Sequence, residues 1–310
     1  LSKFRFFRRP VRSALRARSA RQNSATETLE ERRLLTTLLV DDDFAGLMNG
    51  DAIDGGVFGT DRFAEIQTAL DVAAAADIVQ IRAGEYFESV SILKDVTLEG
   101  AGNASSVIID PAGADGITVS GTPATIRNLT VRNAADGIRA TAAGALNISD
   151  VVLSSLAGDG IDINGAGQVD LTGVTASTNG GAGLKILNAA DVNLSGLNQA
   201  AGNGSLGLDV TTAESVSIET GLFSGIRVTG AASISAGDSM ITSTGLVVLE
   251  AAGQVSLAGD LNAGANSVTV TANSDGAGDE SLLMTSGASI VTSSNLPEAI
   301  SLSVNTLVAG

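Results

Sequence analysis

A short unit, glycine followed by Ile or Leu and then, two residues on, a small or branched apolar residue, recurs at intervals of 18 to 24 residues. Its glycines are Gly116, Gly137, Gly160, Gly183, Gly207, Gly225 and Gly245. The apolar pairs that follow are Ile117 and Val119, Ile138 and Ala140, Ile161 and Ile163, Leu184 and Ile186, Leu208 and Val210, Ile226 and Val228, and Leu246 and Val248. A spacing of two is the period of a strand with one face turned inward. A second register follows each unit: Ala124 and Ile126, Leu146 and Ile148, Val169 and Leu171, Val192 and Leu194, Val216 and Ile218, Ile234 and Ala236, and Val255 and Leu257. Two strand registers repeating together predict stacked coils, an all-β single-stranded parallel β-helix of about ten or eleven rungs. Glycine and β-branched residues in the would-be interiors exclude a helical repeat.

One position inside the unit points outward. In rung order it holds Thr118, Arg139, Asp162, Lys185, Asp209, Arg227 and Val247. The central five alternate in sign, and strands stack about 4.8 Å apart, so each charge is expected beside an opposite one. An exposed pair contributes about 0.2 to 1 kcal/mol. The larger consequence is specificity, because a slipped rung would oppose like charges.

Composition narrows the chemistry. The chain has no Cys and no His, which removes disulfides, thiolate metal sites and the commonest general base. It has 37 Gly, no Trp and one Tyr, so aromatic platforms are scarce. Residues 1–33 hold 10 of the 18 Lys and Arg against three acids, which leaves 8 bases against 31 acids in the rest, a net −23. Such a body repels nucleic acid and anionic lipid and suits Ca²⁺ or basic partners. No apolar run reaches the about 20 residues of a spanning helix.

Residues 1–36 read as a basic targeting or disordered segment. Within it, Leu29-Glu30-Glu31-Arg32-Arg33-Leu34-Leu35 resembles the Leu-Glu-x-Arg-Arg-Leu-Leu signature at the N-termini of large extracellular planctomycete proteins, and the resemblance implies export. Residues 37–77 form an N-terminal cap: an edge strand near Val40, then loops, then a helix over about residues 62–76. The helix would take Thr60 or Asp61 as N-cap and present Phe63, Ile66, Leu70 and Ala73 on one face. Residues 78–310 form the β-helix. The passage from 63 to 110, with Ile78-Val79-Gln80-Ile81, Ala83-Gly84-Glu85-Tyr86 and Val96-Thr97-Leu98-Glu99-Gly100, resembles the opening of pectin-lyase-like right-handed β-helix proteins, pectin methylesterases among them. That resemblance implies right-handed coils and a helix capping the open end. From about residue 250 the units, such as Gln254-Val255-Ser256-Leu257-Ala258-Gly259, resemble those of haemagglutinin-like surface proteins. The pattern runs on to Val308-Ala309-Gly310, as in a piece of a longer array.

The candidate site residues are three aspartates before the repeating glycine, Asp115, Asp136 and Asp159. On successive rungs they need a counterion or wide solvent exposure, and Ca²⁺ is the cofactor such oxygens suit. Asp41, Asp42 and Asp43, and the loop from Asp275 to Glu280, are further candidates of the same kind. The bland reading is turn chemistry, since Asp is at home beside Gly in turns. Asp159-Gly160-Ile161-Asp162-Ile163 resembles a polygalacturonase segment, yet Gly158 precedes it and no Asp-Asp pair follows a rung later. The pectin methylesterase resemblance does not extend to catalytic stretches after residue 110. For a lyase, a Ca²⁺-bound uronate and a Lys or Arg base are required, with Arg127, Arg132, Arg139, Lys94 and Lys185 available. Gly180-Gly181-Ala182-Gly183-Leu184-Lys185 places Lys185 where a calcium-binding nonapeptide needs Asp. The expectation is therefore a non-catalytic, secreted or cell-surface β-helix for adhesion, carbohydrate binding or assembly, meeting extracellular polysaccharide or surface proteins and self-associating end to end. The alternative is a carbohydrate-active lyase or hydrolase.

Overall fold

The computed structural model describes residues 35–305, apart from 238 and 278–280. Each coil contributes three short strands, and equivalent strands of successive coils pair in parallel to form three columns. The first runs through Val90–Ile92, Ile117–Ser120 and Ile138–Ala143 and ends at Ile300–Val304. The second starts at Arg62–Phe63 and Thr37–Val40, continues through Ile78–Ile81 and Val96–Gly100, and ends at Leu282–Met284. The third runs from Gly84–Tyr86 through Val107–Ile109 to Ser289–Val291. Both expected registers hold over the central coils: Ile117, Ile138, Ile161, Leu184, Leu208 and Ile226 stack, as do Ala124, Leu146, Val169, Val192, Val216, Ile234 and Val255. Their side chains, almost wholly buried, form one continuous core.

One residue per corner turns the strand. Gly121, Ala142, Gly165, Asn188, Thr212 and Gly230 bend the first strand into the second, and all have φ between 47 and 77°. Asn128, Asp150, Gly173 and Gly196 do the same between the second and third. Asn and Asp share these corners with Gly because their short polar side chains tolerate the left-handed region.

The repeating glycines are fixed by crowding. A Cβ on Gly137 would lie 2.5 Å from the Gly160 carbonyl oxygen, and one on Gly160 2.5 Å from that of Gly183. These carbonyls accept the N–H of the Ile or Leu one coil back, as in Ile138 to Gly160 (3.0 Å) and Ile161 to Gly183 (2.9 Å). The column ends differently from expectation. Val247 and Leu249, not Leu246 and Val248, point inward; Leu246 takes the stacked-glycine place and is 47% exposed. The reason lies two residues on: the expected register would turn Glu250 into the core, whereas the observed one puts Ala251 there.

The N-terminal cap also departs in detail. Thr37–Val40 is not an edge strand, since it pairs with Arg62–Phe63 on one side and Ile78–Ile81 on the other. Because residues 62–63 are extended, helix α1 begins late and spans only Ile66–Val72. Its N-terminus is capped by neither Thr60 nor Asp61. The Glu88 carboxylate, one coil away, accepts the N–H groups of Ile66 (2.7 Å) and Gln67 (2.9 Å). At the other end Lys94 Nζ donates to the carbonyls of Leu70, Asp71 and Ala73 at 3.3, 2.8 and 2.8 Å. An anion at the positive end and a cation at the negative end oppose the helix dipole. Between them Gln67 acts as a substitute strand: Ser91 N–H donates to Gln67 Oε1 (2.7 Å), and Gln67 Nε2 donates to Ser91 O (3.4 Å). The open edge of the first column is thereby covered.

Burial pushes the Glu88 carboxyl above the usual range, and the charge of Glu65 adds to this, against the two N–H groups that favour the anion. The sign follows from linkage: Glu88 stabilises the fold most below the ordinary Glu value and less as pH rises through its raised one. Replacing Glu88 with Ala is expected to cost about 1 kcal/mol at neutral pH by loss of the cap. The gap should widen near pH 4, as read from urea unfolding curves at both pH values.

The basic segment expected over residues 1–36 lies, except for Leu35 and Thr36, outside the described residues. No helix among the described residues is long and apolar enough to cross a membrane.

Candidate functional site

Asp115, Asp136 and Asp159 form a single column. Their carboxylates bond along the axis: Asp115 Oδ1 accepts the N–H of Asp136 (3.3 Å), Asp136 Oδ1 that of Asp159 (2.7 Å), and Asp159 Oδ1 that of Ala182 (2.6 Å). The aspartates act across coils, where turn chemistry alone would have kept these bonds local. Beside them runs the outward ladder, with Thr118, Arg139, Asp162, Lys185, Asp209 and Arg227 in register. The rung after Arg227 is Val248, in keeping with the shifted register.

The two columns merge into a charged cluster. The Arg139 guanidinium meets three carboxylates: Asp115 (3.2 Å), Asp162 (3.7 Å) and, most closely, Asp136. Lys185 meets Asp159 (3.2 Å) and Asp162 (3.1 Å). Asp136 is only 6% exposed, and Arg139 is its ion-pair partner. The hydrogen bond to Asp136 raises the Arg139 pKa, and the bond to Asp162 raises that of Lys185. Lys185 and Asp209 form no ion pair. Asp209 instead takes Arg227 through two hydrogen bonds, one of 2.8 Å from Nε. The alternation of sign therefore resolves into two groups.

Arg139 and Lys185 give Asp115, Asp136 and Asp159 counterions from within the chain. Among the described residues, the acidic groups close enough to share one ion are Asp41, Asp42 and Asp43, with oxygens within 4.8 Å of one another. Here too partners intervene. Asp41 accepts from Arg82 (3.0 Å) and from its own Asp43 N–H (3.1 Å), and Asp42 accepts from the Glu85 N–H (3.2 Å). Of the Asp275 loop, residues 278–280 lie outside the described region.

Several polar devices were not read from the sequence. Asp110 is buried. Burial opposes its charge, but the Ala112 N–H, the Asn133 amide and Arg132 outweigh that and hold its carboxyl below the usual range. Asn198 is wholly buried, accepting the Val174 N–H (3.0 Å) and donating to the carbonyls of Leu171 and Ser195. Their partners sit up to a whole coil away, so no local motif marks them. The hairpin Ala52–Ile53 with Gly56–Val57 did carry a signal, the Asp54-Gly55 pair with both residues at positive φ.

Two solved structures are similar: a pectin methylesterase in complex with hexasaccharide VII (12% identity, TM-score 0.37) and pectin methylesterase PemA from Erwinia chrysanthemi (13% identity, TM-score 0.36). Each alignment covers 65% of this chain, and 66% and 67% of the respective enzymes. At that distance the likeness carries no argument about activity. No curated protein matches the sequence. The family described as "Right handed beta helix region" matches residues 115–278, more than half of the chain, and covers the coils that hold the charged cluster. With the three parallel columns, this match places the chain in the right-handed β-helix family.

Proposed function

We propose that this chain is a non-catalytic extracellular or cell-surface rod for adhesion, carbohydrate binding or assembly. The observation that carries the reading is the Arg139 cluster. Its acids and bases neutralise one another across coils, and catalysis needs a carboxylate or amine free to exchange protons with a substrate. The resemblance of residues 29–35 to planctomycete export signatures supports the location. A second reading, a polysaccharide lyase or glycoside hydrolase, draws on the same convergence of Asp115, Asp136 and Asp162. Inverting hydrolysis needs room for a water between its two carboxylates; here a guanidinium stands between them.

The test is incubation of the full chain with neutral glycans and with methylated and demethylated pectins, with and without Ca²⁺. Reducing ends, unsaturated products and methanol are then measured. No product is expected. Turnover that disappears in Asp136→Asn would overturn the proposal.

A further inference from the structure

The first and last described coils of the stack are unlike. At the first, Gln67 on α1 bonds the Ser91 backbone as a strand would, and the Asp42 carboxylate takes the Glu85 N–H of the third column (3.2 Å). At the other, Leu282–Met284, Ser289–Val291 and Ile300–Val304 each pair on one side only, with the strands of the coil before. Ile300, Leu302 and Val304 stack on Val268, Val270 and Ala272, which are wholly buried, yet are themselves 42, 47 and 39% exposed. Met284 is 38% exposed where Leu257, its neighbour in the stack, is 1% exposed. A strand edge unpaired on one side, beside apolar side chains left in water, is a template for pairing with another chain.

Charge decides which chain. Outside residues 1–33 the protein carries a net −23, so copies of it repel one another over most of their surface. From Ser281 to Asn305 the one charged residue is Glu298, so this coil is where two copies can approach closely. A head-to-tail contact would propagate into a filament, but α1, Gln67 and Asp42 occupy the edges that would receive it. A contact between two like coils meets no such cover. A two-fold axis normal to the first column sets Ile300–Val304 antiparallel to its own copy, and the inward side chains stay inward on both. That strand is also the longest of the three in its coil.

We infer that this open coil joins its counterpart on a second copy, tail to tail, so that the chain forms closed pairs and not filaments. The inference names the partner for the assembly reading above and rests on that reading, but the two fail separately. Turnover on a glycan counts against the proposed function, and a monomer counts against this inference alone.

The full chain would be followed by sedimentation equilibrium from about 1 to 300 µM. A monomer–dimer equilibrium is expected, with a dissociation constant of about 10 to 100 µM, since one coil's cross-section is smaller than a standard interface. Small-angle scattering should give the pair about twice the maximum dimension of the monomer. Leu302→Lys and Ile300→Asp should each weaken pairing at least about ten-fold. Val72→Lys, on α1 at the capped end and 53% exposed, should leave it unchanged. Circular dichroism checks that each variant folds. A monomer at every concentration, species growing beyond two copies, a pair no longer than the monomer, or pairing undiminished in Leu302→Lys and Ile300→Asp would overturn the inference.

Discussion

Replacing Gly207 with alanine is expected to cost about 3 kcal/mol or more, the upper end of what overpacking does. A Cβ there would meet the Ala200 carbonyl oxygen at 2.3 Å, Ser224 N at 2.6 Å and the Phe223 Cβ at 2.9 Å. Two of these are backbone atoms of the flanking coils and cannot swing aside. Relief would require the coils to part, and with them the bonds from Gly183 and Leu184 to the residue 206 and 207 carbonyls, 3.0 and 2.8 Å. Gly167 is the matched control. Its added Cβ would find nothing nearer than 3.5 Å, and its backbone is one any residue adopts, so Gly167→Ala should be neutral to slightly stabilising. Urea denaturation of the two variants against the parent separates them. Equal stability of all three would show that the glycine column is not held by crowding.

Replacing Arg139 with methionine is expected to cost about 2 kcal/mol at low salt. The apolar stem is kept, but Asp115, Asp136 and Asp162 lose their shared cation, and Asp136 is buried. A carboxylate left without its partner in a protein interior costs about 3 to 5 kcal/mol. The guanidinium is 45% exposed, so water and salt screen part of this and the lower figure applies. The variant should recover part of the loss as salt is raised, because repulsion among the three carboxylates is screened. Millimolar Ca²⁺ should raise the variant's melting temperature more than the parent's, since the variant leaves the Asp115, Asp136 and Asp162 oxygens without their shared cation. A variant as stable as the parent at neutral pH and low salt would mean that the cluster is solvated surface charge.

The central coils were legible because their information is local and repeats. The inward positions of residues 117–236 follow from a period of two inside a period near 22, and a one-residue slip would turn each set to solvent. Where the repeat weakened, at Gly245, pattern matching chose the wrong register. The deciding residue, Glu250, lay outside the unit being matched. The candidate aspartates were legible as a column, but their ion pairs were not. Arg139 and Lys185 had been assigned to the outward ladder, and nothing in a linear sequence shows that their side chains also reach the neighbouring column. The cap was least legible. Glu88, Lys94 and Gln67 work across 21 to 24 positions, and each would pass alone for a solvated surface residue.

The coil from Leu184 to Leu208 takes 24 residues and the next, from Leu208 to Ile226, only 18, yet the strands of both keep the same alignment through residues 208–218. Five of the six surplus residues lie at one corner, where Ala201 to Leu206 fill a place that Ser224 fills alone one coil later, and the sixth is the irregularity between Leu194 and Leu197. Segment length at that corner is therefore uncoupled from the stacking distance. Mutation can lengthen, shorten or graft a peptide there without disturbing the core, so the rod can change what it displays while its pitch stays the same.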